Sequence, residues 1–516
     1  MSLIGAPLTR TDGRAKVTGA AKYSAEFQVP NVAYAALVQS TIPSGRIVRI
    51  DTSGAMRVGG VLAMLTPANA PKLPGAEARL TVLQDDRVHY NGQPIGIVVA
   101  ESLNAAWQAA SLVQVRYRSM SPKLDLKAGI ATAYPGHHNE DPGDVSWGDV
   151  PGALARADVS IDEIYTTPIQ HHNPMEPHAA IAQWAGDHLT IYDSTQNVSG
   201  HKGELAKTFG IPEANVRVIS LFVGGGFGCK GQMWSHVVLA AMAAKQVGRP
   251  VKLVLERAQM FGPVGARPQT YQRITLGATR DAKLTAIRHQ VYTNTSFIED
   301  YLESSAVPTR RMYACPNVTT THRLVQLNLG TPTYMRAPGV ATGTYALEVA
   351  MDELAYKLKT DPLELRLRNY TDVDPETDKP FTAKHLRECY RRGAESFGWS
   401  KRNPAPRSMR DGMLLRGWGM ATETYPANRR PAGALVRLKP DGRVLVASGT
   451  HELGTGMYTV LTQVAADALG IAPDHVDAEL GDTTLPQAPI SAGSMSTASV
   501  TPAVQAAAAE IGRAHV

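Results

Sequence analysis

An α+β fold of several domains is what this sequence predicts, and three observations carry that expectation. The chain has 516 residues, well beyond what one compact core organises. Strand-like and helix-like stretches intermix without the steady strand–helix alternation of a doubly wound sheet. A small-residue turn that leads into a helix recurs in the middle of the chain and near its end.

Residues 1–19 form a polar lead-in with Arg10, Asp12 and Arg14. Residues 20–130 read as one compact α/β domain. Its elements are a strand at 61–65, a turn at Asn91 and Gly92 before an apolar strand at 95–100, a helix at 105–113 and a strand at 113–117. Residues 131–150 read as a linker, because 135–149 (PGHHNEDPGDVSWGD) is dense in Pro, Gly and polar side chains. A second domain is expected over 151–400, a break at 403–411 where prolines and arginines cluster, and a last domain over 410–516.

Composition narrows the class. The chain is 43% hydrophobic and 19% charged, as soluble globular chains are. Its 52 basic against 46 acidic residues leave a net charge of +6, dispersed rather than gathered into an arm for nucleic acid. A modest basic excess suits an anionic cofactor or an acidic partner surface. The opening MSLIGAPLTR has no apolar h-region, and no apolar run is long enough for a membrane span. The expected location is the cytoplasm, or the periplasm by co-export with a signal-bearing partner subunit. Cys229, Cys315 and Cys389 lie far apart with no CxxC, which argues against a disulfide framework or structural zinc. A [2Fe–2S] cluster takes four cysteines. A redox role would therefore need an organic or metal cofactor, with electrons passed to another chain.

The richest segment is 216–246: a strand over 216–223, the turn Gly224, Gly225, Gly226, Phe227, Gly228, Cys229 and Lys230, then an alanine-rich helix from 234. Free backbone N–H groups and a positive dipole end at such a turn suit an anion. Two other readings stay open here. Gly226-x-Gly228-x-x-Gly231, with Glu256 closing the strand 251–255, matches the fingerprint of an NAD-dependent Rossmann dehydrogenase. The turn also reads as one needed only for packing. The device recurs at 449–469, where Gly454, Thr455, Gly456 and Thr459 precede or open a helix. It recurs again at 491–497, with Gly493, Ser494, Ser496 and Thr497, before Thr501 and Pro502 as N-cap and first helical residue. One such turn is ordinary capping. Three suggest helix N-termini converging on one large, anionic, hydrogen-bonding ligand.

A further turn spans 333–339 and carries Arg336, readable as a surface charge or an anion clamp. It precedes a helix over 345–358 whose Leu347, Met351, Leu354 and Leu358 share a face. His171, His172, Glu176 and His178 sit among two prolines, so HExxH geometry is excluded; structural histidines and metal ligands both stay open. Gln196, with Thr195, follows a strand at 189–192.

In this order the segments resemble the large subunit of molybdenum hydroxylases, the aldehyde oxidase/xanthine dehydrogenase family, bacterial aldehyde oxidoreductases in particular. The carriers are Thr195 with Gln196, the turn 224–230, 336–339, 454–459 with the LGI at 469–471, and 491–497. Gly19–Ala20 and the NGQP at 91–94 resemble that family's α/β hammerhead domain. The resemblance implies a hammerhead over 20–130 and two molybdopterin-binding domains over 151–400 and 410–516. It implies molybdenum with molybdopterin cytosine dinucleotide, the metal held by the pterin dithiolene and by no protein ligand. Gln196, Phe227 and Arg336 become the expected catalytic residues. Gly225, Gly226 and Gly228, Gly454 to Gly456 and Thr459, and Gly493, Ser494, Ser496 and Thr497 become the cofactor cradle.

The implied reaction hydroxylates an aldehyde to a carboxylic acid, with water as oxygen source. Electrons leave through [2Fe–2S] and FAD on partner subunits. A xanthine or N-heterocycle dehydrogenase subunit is the alternative within the family. Gly231 and Pro338 stand where purine oxidisers carry Glu and an aromatic, which favours an aldehyde. The family's catalytic Glu, in a GxGE-type motif further along a longer chain, is not found after Thr497. The closing EIGRAHV also resembles a translated sequencing adapter. Both predict a truncated, inactive last domain with exposed apolar surface.

Overall fold

The computed structural model describes residues 2–137 and 142–513; positions 138–141 of the expected linker and 514–516 of the closing heptapeptide lie outside the described residues. Helices and sheets mix as expected. A seven-stranded sheet runs in the order Val216–Ile219, His188–Asp193, Ala179–Ala185, Val251–Val254, Ala33–Gln39, Pro94–Ala100, Val61–Leu65. Residues 20–130 therefore do not close on themselves. Ala33 pairs in parallel with Val251, because Ala33–Gln39 is almost wholly buried and needs strands on both edges. Tyr34 opposite Ala100 and Ala180 opposite Asp193 are antiparallel pairs. A doubly wound parallel sheet is thereby excluded, and with it the Rossmann reading. Glu256 instead caps the short helix Arg257–Phe261 through a reciprocal bond with Gln259.

A second sheet orders Val318–Leu327, Leu284–Ser296, Thr270–Ala278 and Val159–Thr167. Tyr134–Pro135 and Val145–Trp147, from the expected linker, pair with Val318–Leu327. Trp147 Nε1 donates to the Cys315 carbonyl at 3.1 Å, so this stretch is sheet edge rather than free connection. The helix Val340–Leu358 covers the sheet, with Leu347, Met351 and Leu354 in its core. It starts five residues before the apolar pattern does. Gly343 permits this: a Cβ there would lie 1.7 Å from the Ser305 carbonyl oxygen.

The last domain packs Met457–Leu469 and Ser496–Arg513 together beside the sheet Leu435–Leu438, Val444–Ser448, Val476–Leu480. The final helix starts at Ser496 and holds Pro502 inside it, so Thr501 is no N-cap. Thr501 Oγ1 donates back to the Thr497 carbonyl at 2.9 Å. An interior proline costs about 3 kcal/mol. Full burial of Val500 and Val504 returns about that or more, at roughly 1.5–3 kcal/mol each. The lead-in is not loose either: Thr11 N donates to Thr459 Oγ1 at 3.0 Å, and Gln463 Nε2 to the Ala6 carbonyl at 3.0 Å. No helix among the described residues is long and apolar enough to cross a membrane.

Candidate active site

The strand His188–Asp193 delivers Thr195 and Gln196 into the interior, where Gln196 is 3% exposed. Its amide joins two turns distant in sequence. Oε1 accepts from Gly228 N at 3.1 Å, and Nε2 donates to the Ser491 carbonyl at 2.9 Å. Gly226 must be glycine for this contact, since a Cβ would lie 2.2 Å from Gln196 Oε1. Gly228 takes φ +114° and leaves no room for a Cβ, which would lie 2.3 Å from the Tyr334 carbonyl oxygen. The arginine turn closes on the same loop: Arg336 N donates to the Phe227 carbonyl at 2.8 Å.

Non-glycine residues with left-handed backbone gather here. Asn173, Phe227, Ala337 and Ser494 all have positive φ. Each such residue is held against its own preference, by about 1–3 kcal/mol, by the structure around it. Phe227 is 44% exposed. Arg336 is exposed, as are Gly454, Thr455, Ser494 and Thr497. Three expected turns, 224–230, 333–339 and 491–497, are thus joined directly around Gln196. The fourth, at 454–459, is reached through Glu452, whose carbonyl accepts from Val223 N at 2.9 Å. Gly493 is tied by Asn428 Nδ2 to its carbonyl at 3.1 Å. Concavities of about 420 Å³ beside Lys283 and Tyr370 and about 330 Å³ beside Arg79 and Trp234 are lined by other residues.

The helix ends do not act as sequence analysis expected. Glu452, fully buried, accepts from Gly454 N at 2.7 Å and Met457 N at 2.6 Å. The start of Met457–Leu469 is therefore already filled by a carboxylate of the chain itself, balanced by Arg10 and Lys16, each at 2.9 Å. Thr459 is spent on Thr11 N. Ahead of Val340–Leu358, Gly339 N donates to buried Glu303 Oε1 at 2.7 Å. Glu303 also receives Tyr301 Oη at 3.0 Å and lies 3.4 Å from Arg267 Nε. Burial raises the Glu303 carboxyl above its ordinary range. Arg267 in turn donates to the carbonyls of Met335, at 2.9 Å, and Arg336. Convergence is of turns and backbone amides, not of free helix dipoles. Glu303, Glu452 and Arg267 carried no sequence signal, since their partners are remote in the chain.

Within the histidine segment, His172 is engaged by the chain itself. His172 Nε2 lies 2.6 Å from the Tyr334 carbonyl oxygen, and burial pushes its pKa down to about 4. His451 Nε2 accepts from Val198 N at 3.0 Å, its Nδ1 is 2.9 Å from Ser491 Oγ, and burial lowers it to about 3. No group of three metal-ligating side chains occurs among the described residues. Gly231 has its Cβ direction 3.1 Å from both the Gly228 carbonyl oxygen and Ile490 Cδ1, so a glutamate there would require those neighbours to move.

Comparison with known proteins identifies the family. Residues 18–121 match the aldehyde oxidase and xanthine dehydrogenase a/b hammerhead domain, and 133–370 and 392–515 match two molybdopterin cofactor-binding domains. The chain is 40% identical over 499 residues to the aldehyde oxidoreductase molybdenum-binding subunit PaoC of Escherichia coli (strain K12). That match covers 96% of this chain and 67% of the relative. It is 31% identical over 497 residues to the putative xanthine dehydrogenase molybdenum-binding subunit XdhA of the same organism, covering 90% of this chain and 66% of the relative. The chain thus spans about two thirds of these relatives' length. Two solved structures share the fold. The aldehyde oxidoreductase of Desulfovibrio desulfuricans ATCC 27774 superposes with TM-score 0.88 at 24% identity over 98% of this chain and 60% of that one. The CO dehydrogenase of Oligotropha carboxidovorans gives 0.84 at 23% over 99% and 71%. On domain order, identity and fold together, the chain belongs to the molybdenum hydroxylases, the aldehyde oxidase/xanthine dehydrogenase family of oxidoreductases, as a molybdenum-binding subunit.

Proposed function

We propose that this chain binds molybdenum as molybdopterin cytosine dinucleotide and serves the hydroxylation of an aldehyde to a carboxylic acid. Water supplies the oxygen, and two electrons and two protons leave per turnover. Partner subunits bearing [2Fe–2S] and FAD take the electrons, since three separated cysteines are too few for one cluster. The compartment in this reading is the cytoplasm, or the periplasm with a signal-bearing partner.

One observation carries the reading: both ends of the buried Gln196 amide are spent on two separate turns, at Gly228 and Ser491. Such bracing over-determines a strained backbone, as functional sites require. The bound cofactor supplies the two-electron redox change and the activation of water. Gln196 orients one side of that chemistry. Phe227 and Gly228 present backbone to it, and Arg336 caps the loop through its N–H bond to the Phe227 carbonyl. The exposed residues Thr455, Ser494 and Thr497 would hold the pterin and its phosphates, the amide and carbonyl of Gly454 being taken by Glu452 and Arg10. Glu176, Glu303 and Glu452 each hold a cation and a backbone amide, so they fasten turns rather than accept the substrate's proton. The crowded Gly231 position and Pro338 leave no purine-gripping pair.

Turnover by the complete molybdenum-loaded enzyme with its redox partners, rather than by these 516 residues alone, offered benzaldehyde and xanthine separately, tests this. Benzaldehyde oxidation with about one molybdenum per chain is expected; oxidation of xanthine alone would overturn the aldehyde assignment.

A further inference from the structure

The segment 171–178 (HHNPMEPH) enters the reading above only through Glu176 as a fastener, yet four of its residues reach the glycine turn or its neighbour. His172 bonds the Tyr334 carbonyl at 2.6 Å. Pro174 lies beside Gly225, whose Cβ would meet Pro174 Cβ at 3.2 Å and the Phe227 ring at 3.1 Å. His178 Nε2 sits 3.4 Å from the Cys229 carbonyl oxygen. Glu176 does most. Its N–H donates to the Gly224 carbonyl at 3.0 Å, and its Oε2 accepts from Gly224 N at 2.7 Å. The same oxygen accepts from Lys230 Nζ at 2.7 Å, and that ammonium also donates to the Glu176 carbonyl at 3.0 Å. Gly224 and Lys230 are the two ends of the turn.

One half-buried residue therefore holds both feet of a seven-residue arch. With the feet fixed, the apex is confined to the left-handed φ values of Phe227 and Gly228, +54° and +114°. In that conformation Gly228 N faces Gln196 Oε1 while the Phe227 carbonyl accepts from Arg336 N. The pair is costly to keep. The Lys230 side chain is fully buried, and an ion pair taken out of water seldom gains net stability. A methionine and an apolar partner would fill the same space at less desolvation cost. A retained buried pair that brackets a strained arch is accounted for by geometry rather than by stability.

We infer that Glu176, through its simultaneous hold on Gly224 and Lys230, is the positioning residue that sets the apex of the glycine turn at the molybdenum site. The role toward the metal rests on the function proposed above; the hold on the arch does not. The prolines at 174 and 177 fix φ on either side of Glu176.

The test uses the full chain with E176A, and with E176Q and K230M as milder variants that retain bulk. Amide hydrogen exchange is followed in cofactor-free protein. In each variant that folds, exchange over 224–230 should speed up by about tenfold or more, while Val216–Ile219 and Ser235–Val247 change less than about twofold. A merely structural role would loosen the flanking strand and helix equally. In the complete molybdenum-loaded enzyme, kcat should fall by about tenfold or more with KM within about twofold. The Mo(V) paramagnetic resonance signal of dithionite-reduced protein should also change shape. Unchanged exchange across 224–230 in E176Q and K230M overturns the clamp. Faster exchange with an unaltered Mo(V) signal upholds the clamp and instead overturns this loop's assignment to the metal.

Discussion

Replacing Gly226 by alanine isolates the contact on which the site is built. Gly226 has no positive φ, so the substitution adds no backbone strain and acts only through the new methyl. That carbon would stand 2.2 Å from Gln196 Oε1 and 2.6 Å from Cδ, about 1 Å inside ordinary contact. The amide must swing away, and with it go the bonds from Gly228 N and to the Ser491 carbonyl. Each buried group left unpaired costs about 1–3 kcal/mol, so G226A should lose roughly 2–4 kcal/mol. The assay is a double-mutant cycle in urea with Q196A. Q196A removes the methyl's three nearest neighbours, and G226A in that background should cost less than about 1 kcal/mol, a coupling of about 2 kcal/mol. Equal costs in both backgrounds would refute the steric argument. In the complete loaded enzyme G226A should lower kcat by about tenfold to a hundredfold, each factor of ten being about 1.4 kcal/mol.

Two further outcomes follow from buried charge and buried imidazole. E452Q removes one of the two carboxylates, Glu452 and Asp12, that hold Arg10 and Lys16, and it is the one that joins the lead-in to the last domain. Because Arg10 is 40% exposed, the loss is discounted to about 2 kcal/mol. Trypsin should then cut at Arg10, Arg14 or Lys16 at least about tenfold faster; unchanged protection would contradict the tether. Burial holds His172 and His236 down to about 4, and His289 and His451 down to about 3. These groups are neutral when folded and protonate near pH 6.5 when unfolded. The unfolded chain therefore binds more protons between about pH 6.5 and 4, and stability falls as pH falls through that window. Each contributes up to about 1.4 kcal/mol per pH unit. A urea midpoint that stays level from pH 7 to pH 5 would refute this.

Much of the site could be read from residue order alone, because its parts are local backbone devices. Turns at 224–230, 333–339, 454–456 and 491–497 are written by glycine and small residues, and the helix Met457–Leu469 follows its glycine turn as its pattern requires. Strand Val61–Leu65 likewise shows in its own residues. Recognising Gln196 needed the family resemblance, since a Thr–Gln pair at a strand end has no local signature.

What the residues determined by themselves was where the chain turns and which segments bury an apolar face, since those depend on neighbours within a few positions. Tertiary structure alone decided how those pieces are fastened. Glu452 reaches Arg10 across 442 positions, Arg267 reaches the Arg336 carbonyl across 69, and Ala33 completes a sheet with Val251. It also overruled local chemistry where burial outweighed it, carrying the last helix through Pro502 and placing the chain's own carboxylates at two helix starts. The reason is that desolvation and charge pairing depend on what is near in space, which spacing along the chain does not encode.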